Sequence, residues 1–239
     1  MLIAKNIERI EECIYKACLR SGRKREEITL MAVTKNQPLE AVGEAWKAGI
    51  CCFGESKVQE AVAKYANAKY ANAPCSGHRE QYPGMELHLV GSLQMNKAKQ
   101  AVMLFDCIQS LDRESLAGEL AKCVSQRNNP LPVLLEFRTG EDSKSGFTSI
   151  DELSKATELT LACPKLRIRG LMTIAPNTSD KKLVRAAFRR LVKVRHELEK
   201  TFPGCWPCLS MGMSGDYEIA IEEGSTLLRI GSIIFGEWT

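Results

Sequence analysis

Apolar residues near the N-terminus fall on one stripe. Ile3, Ile7, Ile10, Ile14, Ala17 and Cys18 recur at three- and four-residue spacing, which predicts an amphipathic helix over residues 3–20 with Gly22 as its stop. Beyond it, short continuous apolar runs alternate with longer amphipathic segments. The runs are Ile28–Thr34, Ile50–Gly54, Leu87–Gly91, Cys107–Ser110, Pro132–Phe137, Ile168–Ile174, Leu209–Gly212 and Leu227–Phe235. Helical patterns lie between them, over Leu39–Ala48, Ser56–Ala66, Asn96–Leu104, Arg113–Arg127, Ile150–Leu161, Lys181–Lys200 and Tyr217–Glu222.

A continuous apolar run of this length is a strand buried on both faces, and strands separated by helices pair in parallel. About eight such units favour a closed barrel, because an open flavodoxin-type sheet needs fewer strands. The expected architecture is α/β: a single (β/α)8 (TIM) barrel over residues 1–239 with an additional N-terminal helix. No linker divides the chain. Two stretches break the rhythm. Residues 64–73 contain Lys-Tyr-Ala-Asn-Ala twice, too short for a structural repeat. Residues 74–85, with Pro74, Gly77, Pro83 and Gly84, read as an inserted surface loop.

Composition narrows the function class. With 44% hydrophobic and 26% charged residues, the chain has the make-up of a folded globular protein. The net charge of +4 is interspersed, so it hints at an anionic ligand at most and not at a nucleic-acid partner. The most basic stretch, Lys181 to Lys200, carries Val184, Phe188, Leu191 and Leu198 at helical spacing and reads as a helix with a solvated basic face. Lys5, Glu8 and Arg9 interrupt the first apolar run too early for a signal peptide. No segment is apolar enough to span a bilayer. The expected location is therefore the cytoplasm, where the ten cysteines stay as thiols. Asn177-Thr178-Ser179 is then a chance glycosylation match.

Cys205-Trp206-Pro207-Cys208 has the spacing of a redox or metal pair. A reactive thiol of that kind needs a helix N-terminus beside it. Here the pair runs into Leu209-Ser210-Met211, which reads as a strand, and Cys51-Cys52 are adjacent and offer no second pair of zinc-ligand spacing. The structural reading is preferred, and no metal is expected.

In such a barrel the chemistry sits at the C-terminal ends of the strands. Lys35 ends the first run after Met31-Ala32-Val33-Thr34. A lone lysine is usually a solvated charge, but burial at this end would free the amine for Schiff-base chemistry. Ser56 follows Gly54-Glu55 at the end of the second run. His88 lies in the third, and Met172 near the end of the sixth. Ser210-Met211-Gly212 ends the seventh and Arg229-Ile230-Gly231-Ser232 lies in the eighth. Barrels often bind phosphate in these last two turns. Ser210 and Ser232 offer hydroxyls, and Gly212 and Gly231 let an anion approach backbone N–H groups. The same glycines could simply close turns. Arg229 needs an acceptor, which is either a ligand or a structural carboxylate such as Glu222 or Glu223.

These residues resemble the pyridoxal-phosphate homeostasis proteins, whose fold is similar to the barrel domain of alanine racemase. The resemblance rests on Ala32-Val33-Thr34-Lys35, Phe53-Gly54-Glu55 with Val58-Gln59-Glu60, and His88-Leu89-Val90-Gly91-Ser92-Leu93-Gln94-Met95-Asn96-Lys97. Further on it rests on Ser143-Lys144-Ser145-Gly146, Gly170-Leu171-Met172-Thr173-Ile174, Leu209-Ser210-Met211-Gly212-Met213-Ser214 and Arg229-Ile230-Gly231-Ser232-Ile233-Ile234-Phe235-Gly236. It implies that Lys35 carries pyridoxal 5′-phosphate (PLP) as a Schiff base. It also implies that Ser210, Gly212, Gly231 and Ser232 hold the phosphate and that Arg229 faces the ring nitrogen. Ser56, His88, Met172 and Met211 count as further cofactor-site candidates, His88 having the alternative of a hydrogen-bonded core histidine. The chain departs from the family at Ser56, where an asparagine is usual, at Glu86-Leu87, where an aromatic residue is common, and in a longer insertion at 66–85.

Three functions follow from this reading. An arginine on the ring nitrogen cannot protonate it, and the chain ends soon after the eighth strand, where related racemases continue into a domain that supplies a second base. The first function is therefore a PLP carrier in intracellular PLP homeostasis, without substantial turnover and monomeric, with apo-forms of PLP enzymes as possible recipients. The second is a weak PLP-dependent amino-acid racemase. The third, by fold analogy alone, is a barrel enzyme acting on a phosphorylated metabolite without PLP.

Overall fold

The computed structural model describes residues 2–65, 80–140 and 145–236. Eight strands form a closed barrel in chain order: β1 Thr29–Val33, β2 Cys52–Glu55, β3 Glu86–Leu89, β4 Cys107–Leu111, β5 Leu131–Glu136, β6 Leu166–Met172, β7 Cys208–Ser210 and β8 Leu227–Ile230. Every neighbouring pair is parallel, and β8 closes on β1. The described helices are α1 Leu2–Ser21, α2 Leu39–Lys47, α3 Val58–Tyr65, α4 Ala98–Leu104, α5 Glu114–Cys123, α6 Ile150–Leu161, α7 Lys181–Thr201, α8 Tyr217–Glu222 and α9 Ser232–Phe235. No described helix is long and apolar enough to cross a membrane.

Both faces of the strands are buried, as the unbroken apolar runs require. Successive side chains alternate between the two faces. Leu30 and Ala32 of β1, Phe53 of β2, Leu87 and Leu89 of β3, Leu209 of β7 and Leu228 and Ile230 of β8 join the helices in the outer core. The alternate positions face the barrel axis. Met31, Val33, Cys52 and Leu227 form one inner cluster, and Cys107, Leu134 and Met172 another. On β6 the pairing with β5 skips Arg169, so that Val133 faces Ile168 while Leu134 faces Gly170. Gly170 has φ +142°, and a Cβ there would lie 1.8 Å from the Cys208 carbonyl oxygen.

Helix α1 buries Ile7, Ile10, Ile14, Ala17 and Cys18, close to the stripe read from the sequence, and packs against α2, α8 and α9. Helix α7 buries Val184, Ala187, Phe188, Leu191, Val194 and Leu198. Its outward Arg185 and Arg189 pair with Glu222 and Glu223.

Three expectations are corrected. The eighth apolar run is not one strand: it ends at Ile230, the chain turns at Gly231 (φ −124°, ψ −75°), and Ser232–Phe235 is a short helix that buries Ile234. The Asn6 side chain donates to the Ile234 carbonyl and ties that helix to α1. The inserted segment is not all surface loop. Residues 66–79 lie outside the described residues, and with them most of the duplication, but Tyr82 and Met85 are buried. The Tyr82 ring lies 5.6 Å from that of Trp46, tilted by 55°, and packs over Gly43, where a Cβ would lie 3.3 Å from its hydroxyl and push it aside. The fifth and sixth strands are also longer than the apolar pattern at their N-terminal ends, starting at Leu131 and Leu166.

Cys205 and Cys208 are both free thiols. Cys205 packs against the outer core and Cys208 against the inner clusters, so the strand turns the two sulfurs to different surroundings. This agrees with the structural reading of the pair.

Candidate functional site at the barrel rim

The end of β1 is held by a buried network. Thr34 donates its hydroxyl to Glu55 Oε1 at 2.8 Å, Lys64 Nζ reaches the same oxygen at 2.7 Å, and the Tyr65 hydroxyl donates to it at 3.2 Å. Lys64 also donates to the Thr34 carbonyl at 2.6 Å. The next peptide N–H, at Asn36, donates to Glu60. Glu55 is fully buried, and its Oε2 has no partner among the described residues. Burial raises the Glu55 carboxyl above the ordinary carboxylate range, against the pull of Lys64. Burial and Glu55 likewise drive the Tyr65 phenol far up, so it remains a donor.

Lys35 follows in the alternation of Met31 and Val33, two residues past the end of β1. The expected burial of this lysine is not met: it is exposed at the rim. The reason is local. Asn36 takes φ +58°, which turns the chain outward into the loop before α2. The register Met31↔Arg229 and Ala32↔Ile230 brings Lys35 and the Gly231–Ser232 turn to the same rim.

Arg229 is 5% exposed on the inner face of β8. Its Nη1 donates to Ser210 Oγ at 2.7 Å and its Nη2 to the Thr173 carbonyl at 2.8 Å. Glu222 and Glu223 do not reach it, because Arg20, Arg185 and Arg189 hold them on the outside of the barrel. An ion pair of Arg229 with Glu222 or Glu223 is thereby excluded, and the carboxylates that act on it are Asp216 and Glu136. Burial lowers its pKa to about 10, with Asp216 and Glu136 opposing, so the guanidinium stays charged at neutral pH. Its other N–H groups have no partner among the described residues, which leaves donors for a ligand atom.

Ser210 is fully buried and committed. It accepts from Arg229 and donates to Gln109 Oε1 at 2.6 Å, and the Gln109 amide nitrogen lies 2.8 Å from His88 Nδ1. Arginine can only donate, so Ser210 must pass its proton to Gln109, and the Gln109 amide must donate to His88. The result is a one-way chain of donors, Arg229 to Ser210 to Gln109 to His88, through the barrel interior. Ser210 is therefore a support for Arg229, and its hydroxyl is not offered to the rim.

Other candidates are redistributed. His88 is not at the rim: it is a buried histidine bonded to Gln109, and its Nε2 faces the opposite mouth. Met172 packs inward with Cys107 and Leu134, and Met211 packs outward in the helix-facing core, since one residue separates it from inward Ser210. Ser56 and Ser232 are half-buried at the rim ends of β2 and β8, and Gly231 is the residue before α9. Gly212 has φ +97°, and a Cβ there would lie 2.6 Å from Ala220 Cβ. The turn after β7 thus presses its backbone against α8. A Cβ on Gly91 would lie 2.2 Å from the Ser56 carbonyl oxygen, so β3 and β2 close on each other at that edge.

Together the rim presents an exposed amine, a buried cation with unused donors and two glycine-containing turns. That set fits an aldehyde bearing a ring nitrogen and a phosphate. Sequence reasoning missed the Thr34–Glu55–Lys64–Tyr65 network and Gln109. Gln109 carried a signal, a lone amide inside the apolar run Cys107–Ser110, which needs a partner when buried.

A family model described as "Alanine racemase, N-terminal domain" matches residues 7–238. The chain is 37% identical over 237 residues to the pyridoxal phosphate homeostasis protein of Aquifex aeolicus, covering 99% of both chains. It is 41% identical over 236 residues to the protein of the same name from Vibrio cholerae, covering 98% of this chain and 96% of that one. Among solved structures it is similar to PipY of Synechococcus elongatus with PLP bound, at a TM-score of 0.79 and 32% identity, covering 98% of this chain and 100% of that chain. Alanine racemase from Oenococcus oeni shares the fold at a TM-score of 0.69 and 16% identity, and 61% of its chain is matched. A full-length match at such identity, on a closed barrel with this rim, means that the chain belongs to the alanine racemase N-terminal-domain family and, within it, to the pyridoxal phosphate homeostasis proteins.

Proposed function

We propose that this chain binds PLP at the C-terminal rim, with Lys35 as the amine that carries it, and that it buffers and delivers the cofactor in PLP homeostasis without substantial turnover. The observation that carries the reading is the setting of Arg229: a buried, permanently charged donor fixed by Ser210 and Thr173, on which Asp216 and Glu136 act through space and to which no carboxylate among the described residues is directly bonded. Against a pyridine nitrogen such a group donates and cannot supply a proton. When bound, PLP supplies a reactive aldehyde and a ring that withdraws electrons only weakly if its nitrogen is unprotonated. The arrangement favours holding over catalysis. The backbone turns at Gly212 and Gly231, with Ser232, grip the phosphate. The half-buried Ser56 gives one hydroxyl where the family's asparagine gives a donor and an acceptor.

Support from relatives is of the same kind. The curated relatives carry the name of homeostasis proteins, and the PipY structure has PLP bound. The cytoplasm, where thiols stay reduced, suits the nine described free cysteines. A monomer that hands PLP to apo-enzymes is the simplest form of such a carrier.

The test is borohydride reduction of the PLP-loaded protein followed by peptide mass spectrometry. A pyridoxyl adduct on Lys35, and loss of the visible absorbance band in Lys35→Ala, are expected. An adduct elsewhere, or an unchanged band in Lys35→Ala, rejects the reading. The racemase alternative is decided by an amino-acid racemisation assay, in which turnover on the order of 1 per second would favour it.

A further inference from the structure

At the mouth opposite Lys35, the N-terminal ends of the strands surround a cavity of about 440 Å³. The first residues of six strands line it: Thr29, Cys52, Glu86, Cys107, Cys208 and Leu227. The register of β2 on β3 pairs Cys52 with Glu86 and Gly54 with His88. Cys52, Glu86 and His88 therefore occupy neighbouring positions on one inner face. Their ligating atoms all lie within 4.8 Å of one another.

The geometry points to a tetrahedral zinc-type metal site formed by Cys52 Sγ, Glu86 Oε2 and His88 Nε2, with the fourth position open to the cavity. Zinc binds sulfur at about 2.3 Å and imidazole nitrogen or carboxylate oxygen at about 2.0–2.1 Å. A tetrahedron with those bonds sets sulfur and nitrogen about 3.6 Å apart, and nitrogen and oxygen about 3.3 Å apart. The observed separations are 3.9 Å for Cys52 Sγ to His88 Nε2 and 3.4 Å for His88 Nε2 to Glu86 Oε2. Both separations to the histidine nitrogen are within a few tenths of an ångström of these values, and the sulfur and the carboxylate oxygen lie within 4.8 Å of each other. A mixed thiolate, imidazole and carboxylate set selects a borderline-soft divalent ion over magnesium or calcium.

The surroundings suit an ion as well. Cys52 and His88 are buried, which fixes them, while Glu86 is exposed at the mouth and gives the ion a way in. Binding releases the Cys52 thiol proton and moves the His88 ring proton from Nε2 to Nδ1. Gln109 then turns its carbonyl to that N–H and its amide to Ser210, acting as the orienting partner that metal-bound histidines require, at the cost of the acceptor that the Ser210 hydroxyl has in the metal-free chain. The spacing of these ligands along the chain carries no metal motif, because neighbouring strands and not a short loop bring them together.

The test uses the full chain. Cobalt(II) is titrated in and followed by absorbance, and zinc is then measured by competition with a chelator. One equivalent is expected, with a thiolate-to-cobalt charge-transfer band that disappears in Cys52→Ser and persists in Cys51→Ser, its exposed neighbour in sequence. Gln109→Ala is expected to weaken zinc by about 10–100-fold. Glu86→Gln, which alters only an exposed side chain, should weaken it at least about tenfold. A wild-type chain without the thiolate band, a band equally strong in Cys52→Ser, or an unchanged zinc affinity in Glu86→Gln would each overturn the assignment.

Discussion

Replacing Lys64 by methionine isolates the network that holds the end of β1. The substitution keeps most of the apolar stem and removes the charge. Lys64 has 9% of its side chain exposed and Glu55 none, so the pair is buried. Removing one partner of a buried pair costs about 3–5 kcal/mol, because the other charge is left without compensation. Here the lower end applies, since Thr34 and Tyr65 still donate to Glu55 Oε1. About 3 kcal/mol in a domain of this size lowers Tm by about 6–12 °C. The loss must also depend on pH. The Glu55 carboxyl is already raised by burial, and Lys64 is the main influence that lowers it, so the variant raises it further. A carboxyl whose folded value lies above its unfolded value adds stability below the unfolded value, and that addition is lost as pH rises through the folded value. The Lys64→Met penalty should therefore be smaller near about pH 5 than near about pH 8. Urea unfolding at both values measures it, and PLP titration of the same samples should show weaker retention, since Lys64 also holds the Thr34 carbonyl beside Lys35. A penalty below about 1 kcal/mol, or one equal at both values, would refute the account of a buried pair bracing this strand end.

Two further substitutions probe the rim. Arg229→Met orphans two buried acceptors, Ser210 Oγ and the Thr173 carbonyl, at about 1–3 kcal/mol each, and should weaken PLP binding; urea unfolding and absorbance titration read the two effects. Gly212→Ala forces a side chain into φ +97° and against Ala220, so a loss of at least about 1–3 kcal/mol and faster release of PLP on dialysis are expected.

Much of the barrel was legible because each strand is apolar on both faces and each helix on one. The α1 stripe and the strand cores of β1, β2 and β4 fall where hydrophobic spacing put them. The end of β8 did not, because Ile233, Ile234 and Phe235 look the same to a pattern reader in a strand or in a helical turn, and only the backbone at Gly231 decides. The rim position of Lys35 could be read from its place after a buried run. Its exposure could not, since that depends on the turn at Asn36. The site's supports were least visible. Glu55 meets Lys64 and Tyr65 through the packing of α3 on β2, and Ser210 meets Gln109 from a strand 101 residues away in sequence. His88 was misplaced for the same reason: a strand position names the face of a side chain, and its height within a barrel follows only from strand stagger.

The unpaired residue at Arg169 shifts the phase of β6 by one position. Below it, Leu166 and Ile168 face the helices and the two arginines line the lower opening; above it, Leu171 faces the helices and Met172 the axis. One strand thus serves two separate environments, each with its own odd-even rule. The hinge between them must stay a glycine, because the carbonyl of Cys208 occupies the space where any side chain would begin. Charges at the lower opening can consequently be rewritten without changing the register that delivers Thr173 to Arg229.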